Sequence, residues 1–212
     1  YMNKQSQEYI IVPKIKRPSY LPHILFKGKK VCVLTNYRTG STFFIQETLL
    51  TNRIAPTGDW EYFNDDRDFD FALNQLKIPN KLVFKMMPDH IDHSPVKLSK
   101  IATVCDEFMY LYRRDFDAQA KSWIAWNVSG DHEHHWGEMK EYDIQISQAD
   151  ADVYIQQLID NYKSMKFAYK NYPGKVFCLE DFPVQTPYDR KYTWLNDIKI
   201  PAFNVNKEVF RN

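Results

Sequence analysis

Residues 35–42 have the composition of a phosphate-binding turn. The segment consists of Thr35, Asn36, Tyr37, Arg38, Thr39, Gly40, Ser41 and Thr42. Arg38 offers a fork of cationic donors, and Gly40 lets the backbone come close to a ligand. Ser41 and Thr42 place hydroxyls and backbone N–H groups at the predicted start of a helix, where anions bind. The alternative is an ordinary capped helix start, because Ser and Thr cap helices in any protein.

A second candidate phosphate site lies at residues 110–122. Arg113 ends a predicted strand there, and a predicted helix begins near Asp115. Ser122 follows on that helix, so Arg113 and Ser122 can converge on one anion if the helix packs back along the strand. The alternative is a solvated corner in which Asp115 is simply the N-cap of the helix.

Other polar residues lie at the end of the second predicted strand, residues 82–86, and after it. Lys85 stands at its carboxyl end and is a further candidate cation, or else a strand-end lysine whose ammonium reaches solvent. His90 and His93 come next and are candidate proton acceptors, or parts of a plain polar loop. The acidic and histidine-rich cluster at residues 131–135 lacks the spacing of a helical zinc motif, so we predict that no metal is required.

Short apolar runs alternate with helical patterns along the chain. The predicted strands are residues 31–34, 82–86, 108–112 and 175–179, and the predicted helices are residues 41–52, 115–127 and about 149–169. Such runs are typical of strands that are covered on both faces. The alternation predicts an α/β fold, a three-layer sandwich with a mostly parallel central sheet. Ligands of such sheets bind outside the carboxyl ends of the strands, where both candidate phosphate segments begin.

Length and composition restrict the class of protein. The 212 residues predict a single domain, 1–212, in which residues 1–29 form an extended arm because Pro13, Pro18 and Pro22 interrupt regular structure. A formal net charge of +1 lacks the basic excess expected of a nucleic-acid-binding protein. No apolar run approaches the length of a membrane span. Three cysteines, an odd number, predict reduced thiols and a cytoplasmic location.

The two candidate phosphate segments together resemble a known family. Residues 37–42 resemble the 5′-phosphosulfate loop of sulfotransferases, which use 3′-phosphoadenosine-5′-phosphosulfate (PAPS). Residues 110–122 resemble the element of the same family that binds the 3′-phosphate. The segments occur in the family's order, and the resemblance covers about residues 31–181. It implies a P-loop-like nucleotide-binding sulfotransferase fold. The residues that it implies for donor binding are Arg38, Thr39, Gly40, Ser41, Thr42, Arg113 and Ser122.

Residues 58–63 resemble a segment of the bacterial trehalose-type sulfotransferases in which a glutamate is the proposed base. The resemblance implies that Glu61 takes the proton of the acceptor hydroxyl. Arg38 then stabilises charge that develops on the bridging oxygen, with Lys85 as an additional cation at the same rim. Glu61, Arg38 and Lys85 are therefore the expected catalytic residues.

The resemblance implies an enzyme that moves a sulfo group from PAPS to a hydroxyl of a carbohydrate or other small molecule. The expected second product is 3′-phosphoadenosine-5′-phosphate (PAP). A module that binds the nucleotide without turnover is one alternative. A P-loop-like kinase is the other, and it is disfavoured because residues 35–42 lack an early glycine and a Gly-Lys pair. No code for the acceptor is readable in the sequence.

Overall fold

Parallel strands form the centre of the fold. The computed structural model describes residues 29–42, 44–45, 63, 68–77, 82–130, 140–182 and 190–211. The strands in these ranges are β1 (Lys30–Thr35), β2 (Leu82–Met86), β3 (Glu107–Tyr112), β4 (Lys140–Ile144), β5 (Lys175–Cys178) and β6 (Arg190–Trp194). The α-helices are α1 (Phe69–Lys77), α2 (Pro95–Ala102), α3 (Phe116–Ser129) and α4 (Gln148–Asn171). Short helical turns of other types cover Pro88–Ile91, Leu179–Asp181 and Asn206–Phe210.

The main sheet has the strand order β2-β1-β3-β5, and every neighbouring pair in it is parallel. Thr35, the last residue of β1, pairs with Leu111 near the end of β3, so the carboxyl ends of these strands lie level. The chain passes from β1 to β2 on one side and then crosses to β3 on the other. The crevice between the ends of β1 and β3 is therefore the topological switch point, where parallel α/β sheets bind ligands.

Both faces of this sheet are covered by apolar side chains. In β1, Cys32 and Leu34 belong to one core cluster, and Val31 and Val33 belong to a second cluster. All four side chains are at most 1% exposed, as expected for a strand buried on both faces. The predicted α/β class and parallel central sheet are confirmed, and the two covered faces are compatible with a three-layer arrangement.

Local sequence signals fix where three of the helices begin. The hydroxyl of Ser94 accepts a hydrogen bond from the backbone N–H of Lys97 at the start of α2. Asp115 accepts from Ala118 at the start of α3, and Ser147 accepts from the third residue of α4. Each cap satisfies a backbone donor that has no partner within its helix. The capped corner at Asp115 is important for the site, because it follows directly after β3.

The structure adds elements that the sequence pattern did not predict. Helices α1 and α2 are short, and β4 pairs with β6 in a separate two-stranded parallel sheet. In that sheet Glu141 forms an ion pair with Lys191 at 3.0 Å, and the rings of Tyr142 and Tyr192 lie 6.0 Å apart. Cross-strand pairs of this kind join residues about 50 positions apart, so no local sequence pattern predicts this strand pairing.

Some expectations fall outside the described residues, among them the arm at residues 1–28 and the part of the first predicted helix after Ile45. The three cysteines are free thiols, which agrees with the expectation of reduced cysteines. No helix within the described ranges is long and apolar enough to cross a membrane.

Gly174 allows β5 to lie against β3. A Cβ atom built on Gly174 would lie 2.0 Å from the backbone carbonyl oxygen of Phe108, which cannot move without disturbing the sheet. We expect Gly174→Ala to lower the free energy of unfolding by about 3 kcal/mol, because overpacking against backbone has no flexible neighbour to relieve it. Urea denaturation measures the change.

Gly130 provides the control for that substitution. It has a φ of +65°, and a Cβ there would meet nothing within 4 Å. Gly130→Ala should cost only the strain of the left-handed conformation, about 1 kcal/mol. If Gly174→Ala lowers the free energy of unfolding no more than Gly130→Ala does, the close contact between β5 and β3 relaxes at little energetic cost.

Candidate anion-binding site

The loop after β1 reverses the chain through two residues in left-handed conformation. Arg38 has a φ of +57° and Gly40 a φ of +68°. Ser41 and Thr42 are then helical, and the backbone N–H of Phe44 donates to the carbonyl of Gly40 at 3.0 Å. The first N–H groups of a helix have no partner within it, so this turn has the predicted donors for an anion.

Two separate features of the structure favour glycine at position 40. Its positive φ favours glycine over any residue with a Cβ. A Cβ at this position would also lie 2.7 Å from Cδ1 of Leu179, in the turn that follows β5. The sequence predicted that Gly40 permits close approach of a ligand, and the structure adds a close approach to the protein itself.

Arg38 and Ser122 meet across the crevice. The guanidinium Nε of Arg38 donates to the hydroxyl of Ser122 at 3.0 Å. Arg38 follows β1, whereas Ser122 lies on α3, which follows β3. The two segments that the sequence singled out separately are thus in direct contact at the switch point, and both side chains are half-buried.

Lys85 joins the same rim from β2. The side chain is only 7% exposed, and its ammonium donates to the hydroxyl of Thr42 at 3.2 Å. The alternative of a lysine whose ammonium reaches solvent is therefore not observed, and the charge lies beside the loop. A buried ammonium is stable only with polar partners, and an anion held by the loop would be one.

Thr39 has a different position from its neighbours in the loop. Its side chain is fully buried, and its hydroxyl donates to the carbonyl of Asn36 at 2.9 Å and bonds to the hydroxyl of Thr35. These contacts lie inside the protein and hold the turn in shape. Any contact of Thr39 with a ligand therefore falls to its backbone N–H.

Arg113 is held beside Glu180, which follows β5. The Nε of Arg113 lies 3.7 Å from Oε1 of Glu180. The same carboxylate accepts from the backbone N–H groups of Arg114 at 2.9 Å and Asp115 at 3.1 Å, and from the thiol of Cys178 at 3.0 Å. Partial burial raises the pKa of Glu180, but these donors outweigh it and hold the pKa below its ordinary value.

Sequence reasoning did not identify Glu180. The available signal was its position directly after the fourth predicted strand, at the same edge of the sheet as the other candidates. Glu180 fixes the corner that carries Arg113, so it supports the site without being a predicted ligand contact.

The described part of the chain does not bring the remaining candidates together at this rim. Glu61 and the cluster at residues 131–135 lie outside the described ranges. His93 is exposed, and its Nδ1 lies 2.9 Å from the hydroxyl of Ser164 on α4. The ring of His90 meets the ring of Tyr37 edge-on at 6.4 Å. Across the described part of the chain, no group of three or more metal-ligating side chains is gathered.

Comparisons with family models, with curated proteins and with solved structures find no match to this chain.

The corner at Glu180 makes a testable contribution to stability. Because the pKa of Glu180 is lowered in the folded protein, its ionised form stabilises the fold above the ordinary value of 4.5. We expect Glu180→Gln to lower the free energy of unfolding by about 1–2 kcal/mol at pH 7. The difference from the parent should shrink as the pH falls through the lowered pKa of Glu180, because the parent carboxylate is then protonated.

Asp181→Asn is the matched control, since Asp181 forms an exposed pair with Arg114 at 2.6 Å. Exposed ion pairs contribute about 0–1 kcal/mol. Denaturation curves at pH 7 and pH 3 for both variants test the difference. If Glu180→Gln lowers the free energy of unfolding equally at both pH values, the ionised carboxylate of Glu180 is not the source of the stabilisation.

Proposed function

We propose that the protein is a PAPS-dependent sulfotransferase that transfers a sulfo group to a hydroxyl of a carbohydrate or other small molecule. The observation that carries this proposal is the contact between Arg38 and Ser122 at 3.0 Å. The sequence resemblance assigns Arg38 to the 5′ side of the donor and Ser122 to its 3′-phosphate. One nucleotide that bears both groups can therefore bridge the two elements.

Three cationic side chains at this rim, one of them beside the Glu180 carboxylate, support an anionic ligand. Lys85 lies at the end of β2, Arg38 follows β1 and Arg113 follows β3, and these three strands are neighbours in the order β2-β1-β3. The net charge of the chain is only +1, so these cations form a local feature and not part of a general basic surface. Arginine pairs with phosphate through two parallel N–H bonds, which suits Arg38 and Arg113 to the two phosphate groups.

In the proposed reaction an acceptor oxygen attacks the sulfur of PAPS in line with the bond to the phosphate oxygen. The new oxygen–sulfur bond forms as the sulfur–oxygen bond to the phosphate breaks, and PAP leaves with the electron pair of that bond. Glu61 takes the proton of the acceptor hydroxyl. Arg38 and Lys85 stabilise the negative charge that grows on the bridging oxygen. Catalysis of this type depends mainly on positioning and charge stabilisation, as in phosphoryl transfer.

The donor assignment predicts selective loss of one ligand. Arg113→Ala removes charged hydrogen bonds to the 3′-phosphate, each of which contributes about 1.5–3 kcal/mol. The affinity for PAP should therefore fall by about ten- to a hundred-fold. Adenosine 5′-phosphosulfate lacks the 3′-phosphate, so its affinity should change little. Isothermal titration calorimetry measures both ligands.

Lys121→Ala, on the helix that follows Arg113, is the control for loss of one positive charge. Lys121 forms an exposed ion pair with Asp117 one turn away, and its removal should leave the affinity for PAP within about twofold. Equal losses of the two ligands in Arg113→Ala would mean that Arg113 does not contact the 3′-phosphate. A parent protein that binds ATP with Mg²⁺ in preference to PAP would favour the kinase alternative.

The proposed base predicts loss of turnover without loss of donor binding. A general base contributes about 10²–10⁴-fold to rate, so Glu61→Gln should slow the release of PAP from PAPS by that order. The assay uses a panel of sugar and phenol acceptors, and the sulfated product is detected by mass spectrometry. Affinity for PAP should persist, because the base contacts the acceptor and not the nucleotide.

Glu141→Gln provides a carboxylate control, since Glu141 is exposed on β4 and pairs with Lys191. Its turnover should equal that of the parent. If Glu61→Gln also turns over at the parent rate, the proton is taken elsewhere, and His90 becomes the next residue to replace. If the parent binds PAP but sulfates no acceptor in the panel, the protein fits a nucleotide-binding module without turnover.

A further inference from the structure

Tyr37, the residue before Arg38, is held on its backbone, its hydroxyl and its ring. Its backbone N–H donates to the side-chain oxygen of Asn36 at 2.8 Å, and its carbonyl accepts from Nε2 of Gln119 at 2.6 Å. Its hydroxyl donates to Asp89 at 2.7 Å, and its ring stacks on Trp123 at 3.9 Å with the planes 6° apart. Few conformations of the loop satisfy all of these contacts together.

Gln119 connects this loop to the rest of the core. The side chain is fully buried, and both ends of its amide are used. Its Nε2 donates to Tyr37, and its Oε1 accepts from the hydroxyl of Tyr162 on α4 at 2.7 Å. A buried amide with both ends satisfied fixes its partners in position, because movement of either partner leaves a polar group without a bond.

Gln119 also lies on the same face of α3 as the other contacts to the loop. Ser122 and Trp123 are three and four residues further along, so they face the same direction on the helix. Gln119 holds the carbonyl of Tyr37, Trp123 holds its ring, and Ser122 accepts from Arg38. One face of α3 therefore contacts two consecutive residues of the loop, Tyr37 and Arg38.

Arg38 depends on these contacts from α3 because its own backbone conformation is unfavourable. A φ of +57° is uncommon for a residue with a side chain, and it persists only where the surroundings enforce it. The bond from Gln119 is made to the carbonyl of Tyr37, which belongs to the peptide group that leads into Arg38. This bond therefore restricts φ of Arg38, the backbone angle that sets the direction in which the side chain leaves the loop.

We propose that Gln119 is a positioning residue that holds Arg38 in its anion-binding conformation through the carbonyl of Tyr37. This inference rests on the proposed function in one respect, which is that PAP is the anion bound by Arg38. Gln119 has no contact with the ligand in this proposal. Its effect on affinity passes entirely through Arg38.

The main experiment is a double-mutant cycle on ligand affinity. Gln119→Met keeps the volume and removes both hydrogen bonds, and Arg38→Met removes the guanidinium. Gln119→Met alone should weaken PAP by about tenfold, as expected for loss of a hydrogen bond that orients a charged group. In the Arg38→Met background the same change should have almost no effect, because the group that it positions is already gone. Gln156→Met, at an exposed position on α4, is the control and should bind as the parent does.

A second variant tests the hydrogen bond itself and does not depend on the packing of methionine. Position 119 is fully buried, and burial disfavours the charged form of a carboxyl group, so Gln119→Glu is compared with the parent at low and high pH. At pH 5.5 the protonated carboxyl donates to the carbonyl of Tyr37, and affinity relative to the parent at that pH should recover. At pH 8.5 the carboxylate faces the carbonyl oxygen, and affinity should fall by about tenfold or more. Recovery at the low pH is the decisive result, because a carboxylate at the high pH also repels the anionic ligand directly; a deficit at pH 5.5 as large as that of Gln119→Met would contradict the assigned hydrogen bond.

Pyrophosphate is titrated beside PAP to separate this inference from the proposed function. If pyrophosphate follows the non-additive pattern and PAP does not bind, the positioning role stands and the donor assignment fails. If PAP binds the parent and Gln119→Met binds it equally well, the donor assignment stands and the positioning role is overturned. Additive losses in the cycle with either ligand would also overturn it, because Gln119 would then act independently of Arg38.

Discussion

The site depends on the parallel pairing of β1 with β3. Thr35 and Leu111 are partners in the register, so the loop after one strand and the corner after the other begin at the same height. A slip of one residue would turn the buried side chains of β1 to opposite faces of the sheet. The observed register keeps Cys32 and Leu34 in one core cluster and Val31 and Val33 in the other. That register allows Arg38 to reach Ser122, although 84 residues of sequence separate them.

The contacts that hold the loop are mostly polar and buried. Asn36, Asn161 and Gln119 are all fully buried, and the side chain of Asn161 donates to Asn36 at 3.0 Å. A buried polar group contributes little net stability when it is satisfied, but it is costly when its partner moves. Such a network specifies position more than it adds stability. The loop can therefore keep two left-handed residues at the topological switch point of the sheet.

The sequence predicted those parts of the fold that local patterns determine. The predicted 82–86 strand agrees with β2 at both ends, and the 108–112 strand differs from β3 by one residue, because strands buried on both faces are short apolar runs. Arg38, Lys85 and Arg113 were identifiable because each lies at or just after a strand end, and Ser122 because it follows Arg113 on the next predicted helix. Glu180 and the pairing of β4 with β6 were not, since their importance comes from partners distant in sequence. The burial of Lys85 was also not predictable, because it depends on what covers the rim.

We propose that the elements after β1 and β3 form one ligand site. A double-mutant cycle of Arg38→Met and Ser122→Ala, measured as PAP affinity by calorimetry, tests it most directly. If both side chains bind one nucleotide while they contact each other, their effects should be coupled by about 0.5–3 kcal/mol. Losses that add to within about 0.5 kcal/mol would contradict the account, because the two elements would then act as separate sites.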